Sequence, residues 1–240
     1  MILVDASHRS PLLAASAADR VPRLYPDAPK PTKQKPPFCS ENGTSGAEGC
    51  LAVRVTVGIS GASGAIYGLR LLQRMRQSGP VEIHLILTRS GIRTLFLETG
   101  KTPDELRTMA DFSYPNEDIS ARIASGSSVP DAMVIAPCSI HTMSAIANGI
   151  ADNLMVRAAD VVLKERRKLI LMVRESPFHL GHLRNMTALA EMGAIVAPPV
   201  PGFYHHPQTV MDLVDHSVDR VLDLIGVADE DIRRWQGVQK

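Results

Sequence analysis

What these 240 residues lack narrows the reading first. Lys and Arg number 26 against 25 Asp and Glu, so no bulk field draws in nucleic acid or an anionic membrane, and any cationic chemistry must be local. No apolar run approaches the length of a membrane span. The three cysteines, Cys39, Cys50 and Cys138, form no CxxC pair, which points to a reducing compartment, the cytoplasm, without a structural metal. His179 and His182 lack the glutamate of an HExxH motif, and the adjacent His205 and His206 have no carboxylate or cysteine companion in a motif, so no metal site is expected. Two nucleotide signatures are also missing, the G-x-G-x-x-G of dinucleotide folds and the Lys-Ser/Thr of a P-loop.

What is present begins at residues 53–68, VRVTVGISGASGAIYG, where an apolar strand enters a glycine-rich turn and then an amphipathic helix. Gly58, Gly61, Gly64 and Gly68 let the backbone turn tightly, and the helix that follows aims its free N–H groups and positive dipole end at the turn. Ser63 adds a hydroxyl. An anion seat and a plain tight βα turn both satisfy this pattern. Before it, residues 1–50 are interrupted by Pro22, Pro26, Pro29, Pro31, Pro36 and Pro37, and a disordered extension is expected. Asp5, Asp19 and Asp27 argue against a transit peptide, and a misassigned start would look the same. The glycosylation-like triplet at Asn42 has no support elsewhere in the chain.

With 45% apolar residues overall, the chain can bury one substantial core, expected in the remainder, 51–240. Strand-like runs at 53–59, 81–87, 132–136 and 169–173 alternate with helical periodicity, the pattern of a single α/β domain with a parallel sheet. Helices are expected over 65–78, 90–99, 103–110, from Ser139 onward, over 157–168, through Met192, and over 209–225; a short apolar run covers 194–197. In the first helix, Ile66, Leu69, Leu72 and Met75 form the core stripe, with Arg70, Arg74 and Arg76 outside it. The second strand ends at Thr88-Arg89, where a NAD-binding fold usually places an acid for the ribose; a hydroxyl and a cation suit a phosphate better. Glu98 is either a solvated acid or part of a site. Ser139 can cap its helix or bond a ligand. Arg157 and Lys164, seven apart, lie on nearly one helix face, a spacing for two cations on one anion. Arg174 and Glu175 follow the fourth strand at the carboxyl edge, where open α/β sheets bind ligands. Tyr204 sits on a proline-stiffened loop, and Arg220 breaks from the apolar stripe of the last helix, with surface exposure the default.

GISGASGAIYGLRLL (58–72), SGS (125–127), PCS (137–139), RAADVVLKERR (157–167), RESPFHLGHL (174–183) and PPVPGFYHHPQ (198–208), in this order, resemble the UbiX-type flavin prenyltransferases, partners of UbiD-type decarboxylases. The resemblance covers about 54–237. It implies a flavodoxin-like or Rossmann-like three-layer fold, reduced FMN as substrate, and transfer of a dimethylallyl group from dimethylallyl phosphate to flavin N5 and C6 without a metal. Prenylated FMN would then pass to a UbiD-type decarboxylase. By motif, it implies that Gly61, Ala62, Ser63, Thr88, Ser139, Ile140, His141, Thr142 and Arg174 contact FMN. It implies further that Arg157, Lys164, Arg174, Tyr204 and Arg220 hold the prenyl phosphate, and that Ser63, Glu98 and Glu175 serve the proton transfers. A homo-oligomer, a dodecamer in the family, with sites at subunit contacts, is implied as well. Residues 116–124 lack the tryptophan that some members carry ahead of SGS, which leaves monophosphate against diphosphate open. A flavin-binding subunit without chemistry and a dinucleotide-dependent oxidoreductase are the competing readings. The second phosphate clamp speaks against the former, and the missing acid near Thr88 against the latter.

Overall fold

The computed structural model describes residues 52–227. The expected extension at 1–50, with Cys39, Cys50 and the triplet at Asn42, and the residues from 228 onward lie outside the described part. Strands and helices alternate: β1 (Val53–Ile59), α1 (Ala65–Gln77), β2 (Val81–Leu87), α2 (Arg89–Thr99), α3 (Pro103–Arg107), β3 (Phe112–Pro115), β4 (Ala132–Cys138), α4 (Ile140–Ala147), α5 (Leu154–Lys164), β5 (Lys168–Val173), α6 (Leu180–Glu191), β6 (Ile195–Val196) and α7 (Val210–Ile225). Every strand pairing is parallel, in the order β3-β2-β1-β4-β5-β6. That order reverses between β1 and β4, the place where a doubly wound sheet opens a crevice at its carboxyl edge. The three-layer parallel architecture read from the sequence is therefore present.

Helices cover both faces, which is why the central strands are apolar throughout. All seven residues of β4 are buried, as are the last five of β1. On one face α1 packs against α2 and α7; on the other α4 packs against α5 and α6. Gly68 permits the close approach of α1 to the sheet, since a Cβ there would stand 2.3 Å from the Ala136 carbonyl oxygen. Among the described residues no helix is long and apolar enough to cross a membrane.

Three local readings change. The edge strand β3, absent from the sequence reading, is short, and a buried polar cluster fixes it. The His84 ring bonds the Tyr114 hydroxyl through Nδ1 at 2.9 Å, meets the Glu82 carboxylate through Nε2 at 2.9 Å and stacks on Phe112 at 4.9 Å. The helix expected at 157–168 runs from Leu154 to Lys164 instead. Asn153 caps it by accepting from Val156 N, and Arg166 turns with φ 56° to start β5. Arg74, expected outside the core stripe, is 7% exposed because α7 lies over it and supplies Asp219 at 3.1 Å.

Candidate active site

The glycine turn after β1 is held from both sides. Gly64, the N-cap of α1, adopts φ 103°, a conformation glycine takes readily. Along the turn lies α2: Thr88 N donates to the Ile59 carbonyl at 3.1 Å and the Thr94 hydroxyl donates to Gly61 O at 3.3 Å. At the far end of α2, Glu98 returns to the turn, where its carboxylate accepts from Gly64 N and Ala65 N, both at 2.9 Å. The acid that sequence left open is thus a side chain placed on the anion-seeking end of α1. The anion on these first N–H groups belongs to the chain itself, so a ligand phosphate has to find other donors.

Those donors lie on the other side of the switch point. Ser60, 1% exposed, stitches the two loops together: its Oγ donates to Pro137 O at 2.7 Å and accepts from Ser139 N at 2.8 Å. Ser139 caps α4, accepting from Thr142 N at 3.3 Å and donating to Thr142 Oγ1 at 3.1 Å. Ile140 and His141 form the open first turn, half-buried and exposed respectively, while Thr142 is buried. Thr88 likewise caps α2, accepting from Gly91 N at 2.9 Å. The N-termini of α1, α2 and α4 therefore converge on one edge, and their dipoles favour an anion there.

Arg174 follows β5 at the same edge and supplies the cation. Its backbone N donates to Cys138 O at 3.0 Å, and its Cγ lies 3.9 Å from the point where a Cβ on Gly64 would sit. Tyr67 lies beside it; burial raises the phenol pKa and the guanidinium opposes that shift. Glu175, half-buried, accepts from Ser176 N at 2.9 Å. Cys138 is fully buried, and that burial pushes its thiol far above the ordinary range, which leaves it no role as a nucleophile. Gly61, Ala62, Ser63, Thr88, Glu98, Ser139, Ile140, His141, Thr142, Arg174 and Glu175 are thereby brought together.

The other expected phosphate contacts lie on α5 and on the chain after β6. Arg157 donates through Nε to Ala124 O at 3.3 Å and pairs with Asp160 at 2.7 Å; Lys164 pairs with Glu165, and both approach Gly126 of the SGS turn. Lys164 precedes β5 whereas Arg174 follows it, with the six residues of the strand between them. Tyr204 and Arg220 lie on the opposite face of the sheet from α5. The Tyr204 hydroxyl is 3.0 Å from His216 Nε2 on α7, and the exposed Arg220 is one turn further along that helix. Arg157 and Lys164 thus lie on α5, Tyr204 and Arg220 on the loop and helix after β6, and Arg174 at the end of β5. Among the described residues no cluster of three or more His, Cys, Asp or Glu could hold a metal ion.

Comparison with known proteins bears on this geometry. The Flavoprotein family matches residues 48–222. The flavin prenyltransferase UbiX of Escherichia coli (strain K12) is 53% identical over 186 residues, which is 77% of this chain and 98% of that protein. The chain belongs to the UbiX flavin prenyltransferase family. Its members include the UbiX of Thauera aromatica, 49% identical over 77% of this chain and 95% of that one. Among solved structures, a dodecameric FMN-dependent UbiX-like decarboxylase from Escherichia coli O157:H7 superposes with TM-score 0.75 at 47% identity, covering 77% of this chain and all of that one. AnUbiX, solved in complex with FMN and dimethylallyl pyrophosphate, gives TM-score 0.76 at 40% identity over 78% of this chain and all of that one. The UbiX motifs quoted from the sequence locate both ends of the glycine turn. Ser60, Tyr67 and His216 escaped that reading. Ser60 is one hydroxyl among several in its motif, and the contacts of the other two come from elements far away in sequence.

Proposed function

We propose that this chain transfers a dimethylallyl group from dimethylallyl phosphate to N5 and C6 of reduced FMN, and that prenylated FMN leaves for a UbiD-type decarboxylase. The observation that carries the reading is the convergence of the glycine turn, Glu98 and Arg174 at the switch-point edge of a UbiX-family chain. Gly61, Ala62 and Ser63 line one wall for the flavin; Thr88 and Ser139, Ile140, His141 and Thr142 offer their helix ends to its phosphate, with Arg174 as counter-charge. The allylic C–O bond breaks with its electron pair going to phosphate, and N5 supplies the pair for the new C–N bond as its proton leaves. Ring closure then uses the remaining prenyl double bond: one of its carbons takes up a proton, the other bonds to C6, and C6 releases its own proton. Preorganised cations on the departing phosphate lower the barrier, and carboxylates at the flavin edge, Glu98 with Ser63 and Glu175, carry the protons.

Arg157 and Lys164 of α5, with Tyr204 and Arg220 from the chain after β6, complete the prenyl-phosphate site where copies of the chain meet. The dodecameric assembly of the UbiX-like relative supports this. AnUbiX was solved with a dimethylallyl pyrophosphate, so the diphosphate is the second donor to try. Reduced flavin as substrate and the free thiol of Cys138 suit a reducing compartment, and we place the reaction in the cytoplasm. The test is anaerobic incubation of purified protein with reduced FMN and dimethylallyl phosphate, followed by mass spectrometry of the extracted flavin. A gain of one C5 unit, lost or slowed in Glu175→Gln, is expected. Unmodified FMN with both donors would leave a flavin-binding subunit.

A further inference from the structure

The loop that follows β6 brings Tyr204 onto α7, and three rings meet there. His205 stacks on His216 with centroids 4.5 Å apart and planes within 9°, while Tyr204 stands edge-on to both at 5.6 Å. Gly202 closes the group: a Cβ there would lie 2.9 Å from Tyr204 Cε1 and 3.1 Å from His216 Cε1. His216 Nε2 is 3.0 Å from the Tyr204 hydroxyl, whereas His216 Nδ1 and both ring nitrogens of His205 are buried without a hydrogen-bond partner.

A neutral imidazole carries one N–H. On Nδ1 of His216 it would be a buried orphan donor, which folded proteins avoid more strictly than an unsatisfied acceptor. The proton therefore belongs on Nε2, and His216 donates to the Tyr204 oxygen. The Tyr204 O–H is then the donor in any bond to a phosphate oxygen, polarised by the N–H it accepts.

We propose that His216 is a positioning residue for the prenyl phosphate, acting through Tyr204 by fixing the direction of its hydroxyl. This rests on the reading of Tyr204 as a phosphate contact. Protonation would put a second N–H on the buried Nδ1, against the stacked His205. Burial first, and His205 second, hold the His216 pKa below its ordinary value. Other charged groups surround it. Asp212, a turn before His216, accepts from Gln208 N and Thr209 N; Arg220 is a turn after it; Arg70 and Arg74 of α1 pair with Asp215 and Asp219.

The test is steady-state prenyl transfer by the full-length assembled protein with reduced FMN and dimethylallyl phosphate, comparing wild type, His216→Phe, His216→Gln, Tyr204→Phe and the double variant His216→Phe/Tyr204→Phe. Loss of one aligned hydrogen bond predicts a KM for dimethylallyl phosphate about five- to tenfold higher in His216→Phe, with FMN affinity unchanged. His216→Gln, which keeps an N–H in reach of Tyr204, recovers most of the loss. In the Tyr204→Phe background His216→Phe adds nothing. Ring ¹⁵N shifts show the Nε2–H tautomer. An unmoved KM in His216→Phe, an equal penalty in the Tyr204→Phe background, or the Nδ1–H tautomer each overturns the proposal. A wild type that transfers no prenyl group overturns this inference and its parent together, whereas an active wild type with an unmoved His216→Phe overturns this one alone.

Discussion

Replacing Glu98 separates its two tasks. Its carboxylate accepts from the first two N–H groups of α1, Gly64 and Ala65, both at 2.9 Å. Such a cap contributes about 1 kcal/mol, and the exposure of Glu98 sets the expectation at the lower half of the usual 0.5–2 kcal/mol range. For a domain of this size 1 kcal/mol corresponds to a shift in Tm of roughly 2–4 °C. Glu98→Ala should therefore lower Tm by a few degrees. Glu98→Gln keeps an oxygen for one N–H and should lose less. Prenyl transfer should behave differently: a carboxylate that relays the N5 proton supplies about 10²–10⁴-fold, so kcat in Glu98→Gln should fall by about 10² or more while Tm hardly moves. Differential scanning fluorimetry and single-turnover flavin mass spectrometry on the same preparations read both effects. A Glu98→Gln enzyme with near wild-type kcat would refute the proton relay, and an unchanged Tm in Glu98→Ala would refute the cap.

The structure carries other expectations. Gly68→Ala forces a methyl to within 2.3 Å of the Ala136 carbonyl, and overpacking of about 1–3 kcal/mol should lower the urea midpoint and weaken FMN binding together, because α1 and β4 both lead into the site. Arg74→Met should leave Asp219 without a nearly buried partner, the pair being 9% and 14% exposed, and cost about 3 kcal/mol in urea unfolding; Arg74→Met/Asp219→Leu should recover much of it. His84, whose pKa is lowered by burial against the opposing pull of Glu82, takes up a proton less readily in the folded chain than an unfolded histidine does near pH 6.5. Stability should accordingly fall as pH drops below 6.5, and NMR should show the His84 ring taking up its proton below that value.

How far the sequence reached differs from element to element. β1, β2 and α7 were legible because long apolar periodicities and Thr209, a good cap, announce them. β3 was not: its four residues show no alternation, and its reason to be a strand, the ring of His84, lies on another strand. Arg74 reads as surface in any helical wheel of α1, since what covers it arrives about 145 residues later. The site divides along the same line. Each contact supplied by a local motif, the glycine turn or the Ser139 cap, could be read. The partnership of Glu98 with the turn required knowing that α2 runs along it. That Lys164 and Arg174 stand at opposite ends of β5 required knowing the bounds of the strand.

Ser60 has a consequence for how the site comes into being. Its hydrogen bonds reach Pro137 and Ser139 across 77 and 79 residues, and they tie the end of β1 to the end of β4. Contacts so distant in sequence form only after the intervening chain has condensed. The crevice is therefore among the last parts of the domain to acquire its shape during folding, and a chain ending before β4 holds a glycine turn with nothing to face it. FMN, seated on both loops in the proposed site, should bind the finished protein and not its precursors. It should then slow unfolding and lower the fraction of chain open to proteolysis in proportion to its concentration over Kd.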